Sequence, residues 1–162
     1  MMQGGCNCRY IRFRMTSAPI FVNGCHCRVC QRETGSAFAI NAMIEADRVE
    51  MLTDGEPEIF VSQLGSQPAT RSARCPRCGV GLWGTHPDFG DAIRFVRGGT
   101  LDERILPDAH FFTVTRHPLV EVPAGVPSFP GLPTPEDPPL WDEEATARID
   151  AAVAAAQRLP ES

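Results

Sequence analysis

The chain has 162 residues and a formal net charge of −5, and its 15 basic residues are all arginine. Hydrophobic residues make up 43% and charged residues 22%, which is ordinary for a globular domain and excludes a collagen-like, coiled-coil or wholly disordered chain. No apolar stretch approaches the ~20 residues needed to cross a bilayer, and an acidic chain gives little support for nucleic-acid binding. We therefore expect one soluble domain with neither membrane nor nucleic-acid partners.

Residues 4–122 are predicted to form short strands separated by turns. Arg9–Arg14 alternates polar and apolar residues, the period-2 pattern of a half-buried strand. Further strands, separated by Gly, Asp and Pro residues, are predicted at Ala37–Ile44, Arg48–Leu52, Glu58–Val61, Ala92–Arg97 and Phe111–Thr115. No helix of ten residues is indicated here, so this part of the chain is predicted to be all-β.

The amino-acid composition changes after residue 117. Eight prolines fall within residues 118–139, and such a segment cannot donate a regular hydrogen-bond ladder, so we expect it to run extended along the surface. Four apolar residues then recur at every fourth position: Trp141, Ala145, Ile149 and Val153. With acids in the first turn, this spacing predicts an amphipathic helix over Leu140–Leu159. Its apolar stripe could pack on its own domain or on a partner subunit, which leaves a homodimer open.

The seven cysteines all lie in three short motifs: Cys6-Asn7-Cys8, Cys25-His26-Cys27-Arg28-Val29-Cys30 and Cys75-Pro76-Arg77-Cys78-Gly79. An odd number cannot form a complete disulfide framework. The N-terminal residues also lack the basic and apolar regions of a secretory signal, so we expect a cytoplasmic protein in a reducing compartment. Metal ligation is therefore the favoured role of these cysteines.

The spacing of the motifs favours two zinc ions per chain. A C-x-x-C turn directs two thiolates at one metal, and a C-x-C on extended backbone places both sulfurs on one side. Four thiolates close a zinc site, whereas three protein ligands leave one position open for chemistry. Seven therefore divides into four and three: Cys6, Cys8, Cys75 and Cys78 in one site, and Cys25, Cys27 and Cys30 in the other.

Spacing alone leaves other arrangements open. Cys75 could be the fourth ligand of the triplet, the second zinc could be structural with a histidine as its fourth ligand, or the triplet could be reduced and empty. His26 lies between two proposed ligands, so its side chain is expected to point away from their face.

The motifs resemble those of the glutathione-dependent formaldehyde-activating enzyme family, also called the CENP-V/GFA domain. The resemblance covers, in order, Gly4–Cys8, Cys25–Ser36, Cys75–Gly79, Gly99–Asp102 and Pro107–His110. The chain departs from the family pattern at two positions. Arg9 stands where the family usually has glycine, and Arg74 stands where an aromatic residue commonly precedes C-x-x-C. Neither departure removes a proposed ligand.

The resemblance implies a mainly β, Mss4-like (β-tent) fold that is mostly antiparallel and stabilised by zinc. It implies the same division of the cysteines, with the group of four structural and Cys25, Cys27 and Cys30 on a catalytic zinc. It also implies a carbon–sulfur lyase type of reaction, in reverse the condensation of formaldehyde with the thiol of glutathione. Arg28 and Arg32 are candidate contacts for the glutathione carboxylates, with charge compensation for the thiolates as their alternative role. His110 is a candidate hydrogen-bond partner of the substrate.

Two functions follow from the sequence. One is a zinc-dependent carbon–sulfur enzyme that acts on glutathione or another small thiol. The alternative is a zinc-stabilised protein-interaction module without catalysis, for which the Pro-rich segment and the acidic helix would suit a partner surface. The chain is predicted to divide into a zinc-binding β domain (1–122), a Pro-rich extended segment (123–139) and a C-terminal helix (140–162).

Overall fold

The computed structural model describes residues 1–63 and 69–158. In these ranges the strands are β1 (Met2–Gly5), β2 (Arg12–Met15), β3 (Phe21–Cys25), β4 (Ala39–Glu45), β5 (Val49–Met51), β6 (Glu58–Ser62), β7 (Thr70–Arg74), β8 (Gly81–His86), β9 (Gly90–Arg97) and β10 (Ala109–Phe111). The helices are α1 (Arg28–Thr34) and α2 (Glu143–Gln157), and short 3₁₀ turns lie at Ala46–Arg48, Gly98–Thr100 and Thr113–Thr115. No helix within the described ranges is long and apolar enough to cross a bilayer.

The strands form two sheets. A small sheet has the order β1-β2-β5, and a seven-stranded sheet has the order β10-β3-β4-β9-β8-β7-β6. Neighbouring strands are antiparallel, except that β10 runs parallel to β3. The prediction of a mainly β fold with a C-terminal helix is confirmed.

Two predicted strands differ from the observed ones because of left-handed residues. The strand predicted at Arg9–Arg14 begins only at Arg12, since Arg9 has a φ of 61° in a turn. The strand predicted at Phe111–Thr115 ends at its first residue, since Phe112 has a φ of 58° and a 3₁₀ turn follows. A left-handed residue cannot continue a strand, so both segments turn instead. Helix α1 was not predicted, and it makes the domain β with one short helix rather than all-β.

The central strands of the larger sheet are buried on both faces. One face packs against the small sheet, where Phe13 lies edge-to-face on Trp83 with ring centroids 5.8 Å apart. The other face carries Phe21 and Met43 and is covered by α2. Because side chains alternate along each strand, a residue's place in its strand decides which of these two layers it enters.

Helix α2 packs its apolar stripe on its own domain. Asp142 caps the helix by accepting a hydrogen bond from the Ala145 N–H at 2.9 Å. Ile149 is buried in the cluster that contains Phe21, and Trp141 lies on Phe21 with ring centroids 5.6 Å apart. The helix ends at Gln157, and the predicted end at residue 159 lies outside the described residues.

The Pro-rich segment runs beside β10 at the edge of the larger sheet. The His110 N–H donates to the Pro127 carbonyl, and the Phe129 N–H donates to the His110 carbonyl, both at 2.8 Å. Ser128 pairs with His110 in a parallel bridge. The segment therefore covers an edge that would otherwise present unpaired backbone groups.

Candidate metal centres

Four cysteines from two distant parts of the sequence meet at one point. Cys6 and Cys8 lie at the turn that follows β1, and Cys75 and Cys78 lie in the turn between β7 and β8. The four sulfurs are within 4.8 Å of one another, and Cys8 Sγ lies 3.5 Å from Cys6 Sγ and 3.6 Å from Cys75 Sγ. Cys6 and Cys75 are buried, whereas Cys8 and Cys78 are exposed.

Backbone groups hold these sulfurs in place. The Ile11 N–H donates to Cys6 Sγ at 3.3 Å. Gly79 has a φ of 74°, and its N–H donates to the Cys75 carbonyl at 2.8 Å, which closes the C-x-x-C turn. Backbone N–H groups of Val80 and Cys8 lower the pKa of Cys78 to about 6, so the turn favours the thiolate.

The distances between the sulfurs fit a zinc ion. All seven cysteines are free, and 3.5 Å is far longer than a disulfide bond of about 2.05 Å. A tetrahedron with zinc–sulfur bonds of about 2.3 Å has sulfur–sulfur edges of about 3.8 Å, close to the separations observed here. The cluster of Cys6, Cys8, Cys75 and Cys78 therefore has the donor set and the size of a closed zinc site.

The other three cysteines meet where β3 passes into α1. Cys25 is the last residue of β3, Cys27 is the N-cap of α1, and Cys30 lies in the first helical turn. Their sulfurs are within 4.8 Å of one another, and the Cys30 N–H donates to Cys27 Sγ at 3.3 Å. Cys25 is buried and the other two are half-buried. Within the described residues, no histidine or carboxylate joins this cluster.

The three thiols of this cluster cannot ionise independently. Hydrogen bonds from the Cys25 and Cys30 thiols lower the pKa of Cys27 to about 2. Hydrogen bonds from Cys25 to Cys27 and Cys30 raise the pKa of Cys25, so the metal-free cluster concentrates negative charge on one sulfur. A bound divalent cation would allow all three to be thiolates, which fits a zinc ion with three protein ligands.

A row of polar side chains lies on the same face of the sheet as Cys25. Asn23, Asn41 and Arg97 stand opposite one another on β3, β4 and β9, and Cys25 is two residues beyond Asn23. Asn41 donates to Asn23 Oδ1 at 3.0 Å, and Arg97 donates to Asn41 Oδ1 and to the Glu33 carboxylate. A hydrogen bond with Cys25 and, more weakly, the positive charge of Arg97 lower the pKa of Cys30, but hydrogen bonding with Cys27 and burial raise it overall. This row was not predicted, because it depends on the register of three strands that are distant in sequence.

His26 and His110 form a buried pair on the face of the sheet opposite to Cys25. Gly24 and His26 flank Cys25 in the sequence, so their side-chain directions are opposite to that of Cys25. The His26 side chain is fully buried, as expected for a residue that points away from the ligands. Its Nε2 lies 2.9 Å from His110 Nδ1, and its ring stacks on Phe38. Burial, and then the charge of His110, lowers the pKa of His26 to about 4, so this ring is neutral at pH 7. His110 thus contacts a histidine in this structure, and its role as a substrate contact stays a prediction.

The two candidate arginines of α1 are exposed beside the triplet. Arg28 donates to Gln31 Oε1 at 2.6 Å. The Gln31 amide in turn donates to the His26 carbonyl at 2.7 Å and to the Thr115 carbonyl at 2.9 Å, which anchors the helix. Arg32 makes no hydrogen bond to the described residues through its side chain. Both arginines can reach solvent, and their contacts with a carboxylate substrate stay predictions.

Two known proteins are similar to parts of this chain. A Halomonas elongata protein named "Putative glutathione-dependent formaldehyde-activating enzyme" is 28% identical over 97 residues. That alignment covers 57% of this chain and 61% of the relative, so the chain spans about three fifths of the relative's length. A crystal structure of a Rhodobacter sphaeroides protein is 19% identical with a TM-score of 0.49, over 64% of this chain and 91% of that one.

The family model described as glutathione-dependent formaldehyde-activating enzyme matches residues 1–115. The match spans both sheets and includes all seven cysteines, and it covers well over half of the 162 residues. The chain therefore belongs to the glutathione-dependent formaldehyde-activating enzyme family.

Proposed function

We propose that this chain is a zinc-dependent enzyme of carbon–sulfur chemistry that joins formaldehyde to the thiol of glutathione, or of a related small thiol, and catalyses the reverse reaction. The observation that carries the proposal is the cluster of Cys25, Cys27 and Cys30. It offers three sulfurs and, within the described residues, no fourth protein ligand. Membership of the family supports the same reaction class.

Two zinc ions per chain are part of the proposal. Cys6, Cys8, Cys75 and Cys78 would hold a structural ion, and Cys25, Cys27 and Cys30 would hold the second. When bound to three thiolates, zinc supplies a fourth position at which the pKa of a substrate thiol is lowered towards neutrality.

The chain's own residues hold and orient the reactants. Cys25 is fixed by pairing of β3 with strands on both sides, and the Cys30 N–H fixes Cys27 Sγ. Glu33 and Asn41 hold the Arg97 guanidinium on the face of the sheet that carries Cys25, where this ion pair would orient a substrate at the three-cysteine cluster. Arg28 and Arg32 are placed to bind substrate carboxylates from solvent.

The overall reaction balances without an oxidant or a reductant. A carbon–sulfur bond forms between the thiol sulfur and the formaldehyde carbon. The carbonyl oxygen becomes a hydroxyl, and it receives the proton that the thiol gives up. Formaldehyde is unhindered, so the protein contributes mainly by bringing the two reactants together.

Exchange NMR on a mixture of formaldehyde and glutathione tests the proposal. The protein is expected to accelerate exchange between free thiol and hydroxymethyl adduct above the background rate, and Cys27→Ala is expected to abolish the acceleration. Arg97→Gln is expected to lower the accelerated rate about tenfold by removing a charge-assisted contact, while two zinc ions per chain remain bound. The matched control is Arg104→Gln, an exposed arginine outside both clusters, which should leave the rate unchanged. Exchange at the background rate, or equal acceleration by Cys27→Ala, contradicts the proposal.

A second candidate is the zinc-stabilised interaction module. The edge strand β6 carries three large apolar side chains in solvent: Ile59 is 50% exposed, Phe60 45% and Val61 63%. Such an edge suits pairing with another chain, either a partner or a second copy. Two zinc ions per chain together with no acceleration of exchange would favour this candidate. For either function we keep the cytoplasm as the proposed location, because free thiols persist in a reducing compartment.

A further inference from the structure

A cavity of about 480 Å³ opens away from both cysteine clusters. It is lined by residues of β6, β7, β8 and β9 and of the segment before β6, and no cysteine lines it. Arg94 faces this cavity, whereas Arg97 is three residues further along β9. Because side chains alternate along a strand, the two arginines lie on opposite faces of the sheet. The cavity is therefore distinct from the three-cysteine cluster and its polar row.

Arg94 is a partly buried cation without an ion-pair partner among the described residues. Its guanidinium lies over the Trp83 ring, 4.6 Å from the centroid, and it donates one hydrogen bond, to the Val49 carbonyl at 3.3 Å. Burial lowers the pKa of Arg94 even though the charge of Asp91, which is paired with Arg71, opposes this shift, so the charge of Arg94 is poorly solvated. The remaining N–H donors have no protein partner in the described ranges, so an anion that enters the cavity would gain a charge-assisted contact.

Three other charged residues line the cavity, and two of them form an ion pair with each other. Arg71 and Asp91 neutralise each other in an ion pair at 2.6 Å. Glu56 is exposed at the cavity and makes no hydrogen bond or ion pair to the described residues. The cavity thus offers one cation, Arg94, and one anion, Glu56, to a ligand.

Apart from Thr85, the rest of the lining is apolar. Ile59 and Ala73 project from neighbouring strands, where they stand opposite each other in the register of β6 and β7. Pro57 adds a rigid apolar side chain to the lining. A volume of about 480 Å³ lies within the range of small-molecule sites, which is roughly 300–1,000 Å³.

From these groups we propose that the cavity binds a small zwitterion with an apolar side chain, of the α-amino-acid class. Arg94 binds its carboxylate, Glu56 binds its ammonium group, and Ile59 and Ala73 contact its side chain. The site is independent of the proposed reaction, so it can be present whether or not the chain catalyses formaldehyde exchange.

Fluorescence of Trp83 provides the test, because this ring lies directly under Arg94. The chain has two tryptophans, and Trp141→Phe leaves Trp83 as the only one. L-Leucine is the probe, with 4-methylpentanoate as the analogue without the amine and 3-methylbutylamine as the analogue without the carboxylate. Leucine is expected to change the emission saturably, and each analogue is expected to bind at least about tenfold more weakly, since each lacks one charge-assisted contact.

Two variants test which residue contacts each charged group of leucine. Arg94→Gln should weaken leucine binding at least about tenfold, and Glu56→Gln should weaken it to the level of 4-methylpentanoate. The matched controls, Arg104→Gln and Glu103→Gln, change exposed residues outside the cavity and should bind leucine like the parent protein. Calorimetric titration of the unaltered protein should rank the three probes in the same order.

Two results would overturn the proposal. The first is the absence of saturable binding of leucine by both methods. The second is a 4-methylpentanoate affinity equal to that of leucine, with no effect of Glu56→Gln, which would indicate a simple carboxylate site. If Arg94→Gln fails to fold, the exposed Glu56→Gln variant and the two analogues still decide between these outcomes.

Discussion

Arg148 of α2 forms an ion pair with Glu45 of β4, and we expect Arg148→Met to destabilise the protein by about 2 kcal/mol. The guanidinium donates to both carboxylate oxygens, from Nε at 2.7 Å and from Nη2 at 2.6 Å. It also donates to the Ala18 carbonyl at 3.1 Å. This pair joins the C-terminal helix to the larger sheet and to the segment before β3.

The magnitude follows from the exposure of the two partners. The Glu45 side chain is 7% exposed, so its carboxylate would be left in a poorly solvated position. Removing one partner of a fully buried ion pair costs about 3–5 kcal/mol. Arg148 is 22% exposed, and Arg48 lies 3.3 Å from the same carboxylate, so water and the second arginine reduce the cost to about 2 kcal/mol.

Urea denaturation of the wild type, Arg148→Met, Glu45→Gln and the double variant measures this cost. The two single changes should not add, with a coupling of about 1–2 kcal/mol, because they remove the same contact. Burial would raise the pKa of Glu45, but the hydrogen bonds from Arg148 outweigh it and lower the pKa below its ordinary value of 4.5. A lowered carboxyl pKa stabilises the folded state above the ordinary value, and this stabilisation is lost as the pH falls through the folded pKa.

The difference between wild type and Arg148→Met should therefore be complete at pH 7 and should shrink below about pH 4.5. A loss below 0.5 kcal/mol at pH 7, or additive single changes, would refute the reasoning. Either result would mean that the ion pair is solvated and contributes nothing measurable, as many exposed pairs do.

Three further changes have expected outcomes. Cys78→Ala should remove one zinc ion per chain by mass spectrometry and abolish cooperative unfolding, since a structural zinc contributes folding free energy directly. Gly24→Ala should destabilise the protein by about 1–3 kcal/mol in urea, because the new Cβ would lie 2.6 Å from Nδ1 of the buried His110 ring. Arg9→Gly should raise the free energy of unfolding by up to about 1 kcal/mol, because Arg9 has a left-handed φ of 61°.

Each of these changes has a matched control. Cys27→Ala should lose the other zinc ion yet remain folded, and a well-folded Cys78→Ala protein would contradict the structural role of its cluster. Gly81→Ala adds a Cβ with no heavy atom within 4 Å, so it should cost far less than Gly24→Ala. Arg104→Gly lies in an exposed loop without a left-handed φ and should not stabilise; if it stabilises as much as Arg9→Gly, backbone strain is not the cause.

The two cysteine clusters could be predicted from the sequence because their geometry is largely local. In a C-x-C or a C-x-x-C motif, two sulfurs lie within a few bonds of each other, so spacing alone indicates a shared metal. The structure places Cys75 beside Cys6 and Cys8 rather than with the triplet, a choice that spacing had left open. The turn that closes the C-x-x-C motif is also local, since it depends on the positive φ of the adjacent Gly79.

Features that depend on tertiary pairing could not be predicted in this way. β3 contains Asn23 and Gly24, which are typical turn residues, and it is a strand because β4 and β10 pair with it on both sides. The strands β1, β7 and β8 were also missed, since they carry glycine or alternate weakly. Helix α1 is too short for a periodic pattern.

The two edges of the larger sheet differ, because the Pro-rich segment lies beside β10 at one of them. Its prolines at 127 and 130 carry no N–H, so once this segment is in place it offers no regular ladder on which another strand could assemble. The opposite end, β6, has no such cover among the described residues. A sheet that can grow from one end only cannot propagate into a fibre by repeating the same contact. Strand addition between copies of this chain through the larger sheet would therefore stop at two.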